Sequence, residues 1–168
     1  TTLSHKAKDM FRIGHGYDVH KFTDQKQNII IGGIEIPYHL GLEAHSDGDV
    51  LIHALCDAIL GSLGLGDIGR HFPDTDSQYK NTDSKFFLAE IKRMLDEKNY
   101  HVGNIDCTIV AQAPKMLLHI ENMKSCLANI LDIEINQINI KATTTEKLGF
   151  VGRKEGIATH VVCLIHKI

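Results

Sequence analysis

A chain of 168 residues is long enough for one domain that buries roughly 70% of its unfolded surface. Its 43% hydrophobic and 23% charged content is ordinary for a soluble globular protein, and no apolar run approaches the ~18 residues of a membrane span. A formal net charge of -3 argues against DNA or RNA as a partner, although a small phosphorylated ligand needs only local donors.

Thr1–Met10 has no apolar signal-peptide core and little periodicity, so it reads as a disordered extension ahead of a single domain over residues 11–168. Phe11–His20 reads as a strand and Lys21–Gln27 as a polar loop. Asn28–Ile31 and Ile34–Pro37 flank Gly32-Gly33, a pair suited to a two-residue hairpin turn. After Tyr38–His45, Ser46 followed by Asp49 is a capping-box pattern. It predicts a helix from about Asp47 to Ser62, ended by Gly64 and Gly66. Gly66–Lys80 has no periodicity and reads as a mobile loop. Asp83–Lys98 is an amphipathic helix with Phe87, Ile91, Met94 and Leu95 on its buried stripe.

Ile105–Gln112 alternates as a strand, and Pro114 suits the first turn of a helix reaching about Leu131. Ile138–Thr143 is the next strand, Thr144–Gly156 a loop, and Ile157–Lys167 the last strand. This order predicts an α/β fold, an α+β sandwich with helices on one face of a mixed sheet. The last strand, apolar at nearly every position, calls for cover on both faces. Helices supply one cover and a partner subunit the other, so an oligomer is expected. Cys56, Cys107, Cys126 and Cys163 stand far apart in apolar patterns and read as buried free thiols of a reducing compartment.

The chemistry concentrates first around Asp18, His20 and His53. A strand's period of two points Asp18 and His20 to one face, and His53 falls on the helix behind Ser46, with Asp57 four residues on. A carboxylate, two imidazoles and an open position read as a catalytic zinc site, with Asp57 or a backbone carbonyl behind the ligands, or else as ordinary polar residues at strand and helix ends. Three further stretches have the character of a phosphate and nucleotide site. Lys141–Lys147 leaves a strand with hydroxyls, amides, a carboxylate and cations together. Ala111–Leu117 is a strand-to-helix turn whose free amides and carbonyls could read a flat base edge. Gly149–Arg153 places an aromatic and a guanidinium on a turn. Taken alone, they read first as a polar loop, a helix start and an exposed arginine after a core phenylalanine, respectively.

Together, Arg12–His20, Ala44–Val50, Gly66–Gly69, Phe72–Asp76, Ala111–Met116 and Lys141–Phe150 resemble, in order and spacing, the 2-C-methyl-D-erythritol 2,4-cyclodiphosphate synthase family of the non-mevalonate isoprenoid pathway. The resemblance runs from about Arg12 to the C-terminus. It implies a metal-dependent phosphorus–oxygen lyase that cyclises 4-diphosphocytidyl-2-C-methyl-D-erythritol 2-phosphate and releases CMP. A homotrimer is implied too, with active sites between subunits and the second sheet face packed in the trimer core. Zinc would sit on Asp18, His20 and His53, with Val19 beside them in the substrate site. His45 and Ser46 would contact the methylerythritol phosphate end, and His45 and Thr144 would stabilise the transition state. Asp67, Ile68 and Gly69, then Phe72, Pro73, Asp74, Thr75 and Asp76, would line the substrate from a loop. Ala111, Gln112, Ala113, Pro114, Lys115, Met116 and Leu117 would hold the cytosine, and Thr143, Thr144, Thr145 and Glu146 the diphosphate. Glu146 would also be the protein ligand of a second ion, Mg2+ or Mn2+, and Phe150 and Arg153 would lie towards the three-fold axis.

With no transit peptide in view, a bacterial cytoplasm is expected rather than a plastid. Two other classes compete. One is a metal phosphohydrolase turning a zinc-bound hydroxide on a nucleotide. The other is a trimeric binding protein holding an isoprenoid diphosphate on its axis against Arg153, which would leave Asp18, His20 and His53 without a purpose.

Overall fold

In the computed structural model, which describes residues 10–168, the first strand is longer than its apolar run. β1 covers Phe11–Thr23 and pairs antiparallel with β7, Gly156–Lys167, from Phe11 opposite His166 to Lys21 opposite Gly156. Buried Phe22 then pairs with Leu42 of the short β4, Gly41–Leu42, so the expected polar loop begins only after Thr23. Of the expected extension, residues 1–9 lie outside the described residues.

β5, Tyr100–Val110, lies antiparallel on the other side of β7, and β6, Ile138–Thr143, adds to it in parallel. The result is a five-stranded mixed sheet in the order β4-β1-β7-β5-β6. β5 starts five residues before the alternation at Ile105 suggests, because its register shifts between Val102 and Asn104. Tyr100 and Val102 are buried in one phase of the alternation, and Ile105, Cys107 and Ile109 in the other. A bulge of this kind puts one extra residue into a strand and breaks its period of two.

The hairpin forms as expected, with β2, Ile29–Ile31, and β3, Ile34–Ile36, joined by Gly32 and Gly33 at φ 61° and 77°. It is a separate ribbon rather than part of the main sheet. Helix α1, Val50–Leu63, begins later than the Ser46 pattern suggests, because Asp49 is its cap. Asp49 Oδ1 accepts from Ile52 N and Gly32 N, both at 2.9 Å, and Oδ2 accepts from Gly33 N at 2.7 Å. One buried carboxylate thus starts the helix and latches the hairpin to it. Gly64, at φ 70°, ends α1 as expected.

α1 lies across β1 and β7 and packs against α3, Ser84–Glu97, which in turn packs on α4, Ile120–Leu131. Contact between α1 and β1 is at backbone distance. A Cβ on Gly14 or Gly16 would stand 1.8 Å from the carbonyl oxygen of Ala58 or Ala54. The expected loop over Gly66–Lys80 holds a one-turn helix α2, Ile68–His71, and a 3-10 turn at Ser77–Tyr79, capped by Asp67 and Asp76. Both caps are Asp side chains on their own backbone, a local feature that hydrophobic periodicity does not register.

Pro114 does not open α4. It sits after a cis peptide bond in an irregular turn, a 3-10 turn follows at Leu117–His119, and the helix starts only at Ile120. Buried Met116 and the bond from Lys147 N to Gln112 Oε1 tie this turn to the sheet end. The Thr144–Gly156 loop contains a short helix α5, Gly149–Gly152. Cys56, Cys107 and Cys163 are buried, Cys126 is half-buried, and all are free thiols. The helices cover one sheet face only. On the other, Phe11, Ile13, Tyr17, Val19 and Val162 are exposed, so this chain does not itself give β7 its second cover.

Candidate active site

β1 turns Asp18 and His20 towards α1, and His53 meets them from the first turn of that helix. The approach of α1 to Gly14 and Gly16 makes this convergence possible. Asp18 Oδ2 lies 2.8 Å from His20 Nε2 and 3.2 Å from His53 Nδ1, and the two nitrogens are 3.2 Å apart. Ligands held 2.0–2.1 Å from a tetrahedral ion are separated by roughly 3.3 Å. The triangle therefore has the dimensions of three ligands around one metal. Among the described residues it is the one cluster of three His, Cys, Asp or Glu side chains so arranged.

The outer nitrogens are also positioned. His20 Nδ1 lies 2.9 Å from the carbonyl oxygen of Glu43, the backbone carbonyl that the sequence offers as one choice. Asp57, the other choice, is a turn further along α1, and its Oδ1 accepts from Ile68 N at 2.7 Å, anchoring α2 instead. His53 Nε2 meets Ser84 Oγ at 2.8 Å and Ser46 Oγ at 3.2 Å. Asp47 accepts from both the amide and the hydroxyl of fully buried Ser84. Ser84 and Asp47 thus stand behind the metal ligands, and the sequence reading missed both. Each had the signature of a helix start, and nothing in one dimension links them to His53.

Burial pushes the Asp18 carboxyl up, but hydrogen bonds from His20 and His53, with their charge, outweigh it and bring it to about 2. Burial pushes His20 down, and the hydrogen bond and charge of Asp18 win in the other direction, raising it. Both shifts come from the contact of Asp18 with the imidazoles, which is also where a divalent cation would sit.

A cavity of about 360 Å³ opens in front of the cluster. His45, Ser46, Ile68, Gly69, Phe72 and Asp74 line it together with the three metal-type ligands. Phe72 packs against Phe87 and Tyr79, with ring centroids 4.8 and 5.4 Å away, which roots the loop in the core. His45 Nε2 is 3.4 Å from the carbonyl oxygen of Asp76, while Asp67 and Asp76 spend their carboxylates on caps. Pro73 and Thr75 do not line the cavity, and Val19 lies on the opposite sheet face.

A second cavity, of about 270 Å³, lies where the parallel strands β5 and β6 end. Ala111, Gln112, Pro114, Lys115, Met116 and Leu117 form one side, and Ala142, Thr143 and Thr144 the other. Thr145 and Glu146 follow on an exposed turn, with Glu146 at φ 52° and its amide on Thr144 Oγ1. Neither cavity is lined by Phe150 or by Arg153, which pairs with Glu155 at 2.7 Å. The two cavities share no residue. One chain gathers the metal-type ligands with the Ile68–Asp74 loop, and the base-edge turn with the threonines, but does not join the two groups.

The sequence model of the YgbB family matches residues 11–166. A curated relative from Francisella tularensis subsp. novicida, named 2-C-methyl-D-erythritol 2,4-cyclodiphosphate synthase, is 82% identical over 157 residues, covering 94% of this chain and 99% of its own. The bifunctional IspDF of Campylobacter jejuni superposes with a TM-score of 0.90 at 44% identity, over 94% of this chain and 42% of that one. IspF of Plasmodium falciparum, in a CDP complex, superposes with a TM-score of 0.83 at 35% identity, over 95% of this chain and 97% of that one.

Proposed function

The chain belongs to the YgbB family, and from that membership we propose that it converts 4-diphosphocytidyl-2-C-methyl-D-erythritol 2-phosphate into 2-C-methyl-D-erythritol 2,4-cyclodiphosphate and CMP. An oxygen of the substrate's 2-phosphate attacks the β-phosphorus, the bond from that phosphorus to the oxygen of the α-phosphate breaks, and CMP leaves. The nucleophile comes from the substrate, so the protein's task is to align two phosphoryl groups that repel each other. The observation that carries this reading is the convergence of Asp18, His20 and His53 on the wall of a cavity fronted by His45 and Ser46.

The donor set and spacing of that cluster fit zinc, which when bound supplies Lewis-acid neutralisation of phosphate charge. Ser46 and His45 offer a hydroxyl and an imidazole to the methylerythritol phosphate end, and the Ile68–Asp74 loop encloses it. The Ala111–Leu117 turn holds the cytosine through backbone groups, and Thr143 and Thr144 face the diphosphate. His45 and Thr144 steady the charge that develops at the β-phosphorus. Glu146, an exposed carboxylate on the same turn as the threonines, suits a hard cation such as Mg2+ or Mn2+.

The two cavities share no lining residue, and the complete site takes one from each of two neighbouring copies. Three copies closing around the open apolar sheet face would cover β7 and produce three such sites. Phe150 and Arg153 lie towards that axis, where Arg153 would face an isoprenoid diphosphate bound there. No helix among the described residues is long and apolar enough to cross a membrane, and a bacterial cytoplasm is the location proposed.

Mass spectrometry of the products from the CDP-linked substrate, with and without a chelator, tests the reading. It predicts CMP and the cyclic diphosphate, with turnover lost on chelation and restored by zinc together with Mg2+ or Mn2+. A methylerythritol 2,4-bisphosphate, heavier than the cyclic diphosphate by one water, would instead establish hydrolysis.

A further inference from the structure

β1 and β7 carry another pair of imidazoles, on the sheet face away from the helices. His15 is opposite Val162 in the ladder and His160 opposite Tyr17, so the two histidines are diagonal neighbours across the strands. His15 Nε2 stands 3.2 Å from His160 Nδ1, with ring centroids 5.5 Å apart. Tyr17 holds the His160 ring from the side, at 4.9 Å between centroids. The strand beneath has little freedom to shift, because Gly14 and Gly16 on either side of His15 rest on the backbone of α1.

Two nitrogens ligating one tetrahedral ion stand roughly 3.3 Å apart. His20 Nε2 and His53 Nδ1, in the metal-type cluster of this same chain, are also 3.2 Å apart. We propose that His15 and His160 form a second metal site, taking a borderline-soft divalent ion such as Zn2+, Ni2+ or Cu2+ through His15 Nε2 and His160 Nδ1. Imidazole suits these ions, whereas Mg2+ and Ca2+ select oxygen. Ligation uses the lone pairs of those two nitrogens and leaves the ring protons on His15 Nδ1 and His160 Nε2. Asp106, the carboxylate opposite Val162 on β5, is occupied by Lys141 at 2.6 Å and Asn139 at 3.0 Å. The pair therefore acts with neutral ligands alone, and water or imidazoles of further copies complete the shell. Each chain gives it no carboxylate and one ligand fewer than the Asp18 cluster, so where water completes the shell it binds more weakly and exchanges its ion more readily.

The test uses the full chain already carrying one zinc, dialysed against rising Zn2+, with bound metal read by elemental analysis. Wild type should take up a further ion, one per chain or one per three chains if copies share it. In His15→Gln and His160→Gln that second step should need roughly 100-fold more zinc, while the first ion stays. His53→Ala should lose the first step and keep the second, which separates this site from the one proposed above. Side-chain NMR of the wild type gives a readout independent of the variants, since the His15 and His160 ring signals should move with the second step only. Uptake that stops at the first ion, a second step unchanged in both Gln variants, or ring signals that do not move would each overturn the site. The pair would then be one imidazole donating a hydrogen bond to the other.

Discussion

His53 is aimed by a serine that no local pattern connects to it. Ser84 lies 2.8 Å from the outer nitrogen of His53 and is itself held by Asp47. Outer partners of this kind set the orientation of a metal-ligating ring, and their loss costs roughly 10–100-fold in metal affinity. Ser84→Ala should weaken zinc by about that factor in a chelator competition while leaving the far-UV spectrum unchanged; undiminished affinity would mean that Ser46 alone suffices. Asp49 behaves differently. Burial pushes its carboxyl up to about 6, against the backbone hydrogen bonds it accepts. A folded-state value above the ordinary 3.8 means that its contribution is fully present below about 4 and is lost as pH rises through about 6. Asp18 has the opposite sign in the metal-free chain. Held at about 2, it contributes above its ordinary value of 3.8 and loses that contribution as pH falls towards 2. Urea unfolding of the wild type and Asp49→Asn should therefore show the wild type losing up to about 3 kcal/mol relative to the variant between about pH 4 and 6. Parallel curves would show that Asp49 does not titrate in that window.

At the scale of elements, the site depends on how closely α1 lies on β1. Gly16→Ala places a methyl 1.8 Å from the Ala54 carbonyl. It should destabilise by about 3 kcal/mol or more and weaken zinc binding as well, because it drives His53 away from Asp18 and His20. A destabilised variant with normal zinc affinity would show that the two elements move together. The main elements were legible wherever a single period runs unbroken, as in β6 and α3, or where an apolar run is continuous, as in β7. Legibility failed where a local exception intervenes. The bulge at Gly103 switches the buried phase of β5 and hides its first half. Asp49 and Ser46 both carry cap signatures, and only the hairpin amides of Gly32 and Gly33 decide for Asp49. Pro114 fits a helix start and a tight turn equally well, and the burial of Met116 goes with the turn.

At the scale of the whole molecule, the strand period sets Asp18 and His20 on one face, but joining them to His53 as a metal set took the resemblance carried by the rest of the chain. The second cavity and its relation to the first could not be gathered from strand and helix periods. Ala111–Leu117 and Lys141–Lys147 are ordinary loops until the parallel pairing of β5 and β6 sets them side by side. A chain with two cavities that share no lining residue and an exposed apolar sheet face has the features expected of one part of a ring. Mixing two defective chains tests that directly. One carries His53→Ala, and the other has the Ala111–Leu117 turn disrupted, so each assembly alone should be nearly inactive. After the two are unfolded and refolded together at equal amounts, both halves are intact at roughly one interface in four, and activity should recover to about that fraction of wild type. Mixed assemblies, verified as mixed, that stay as inactive as their parents would place both halves of the site within one chain.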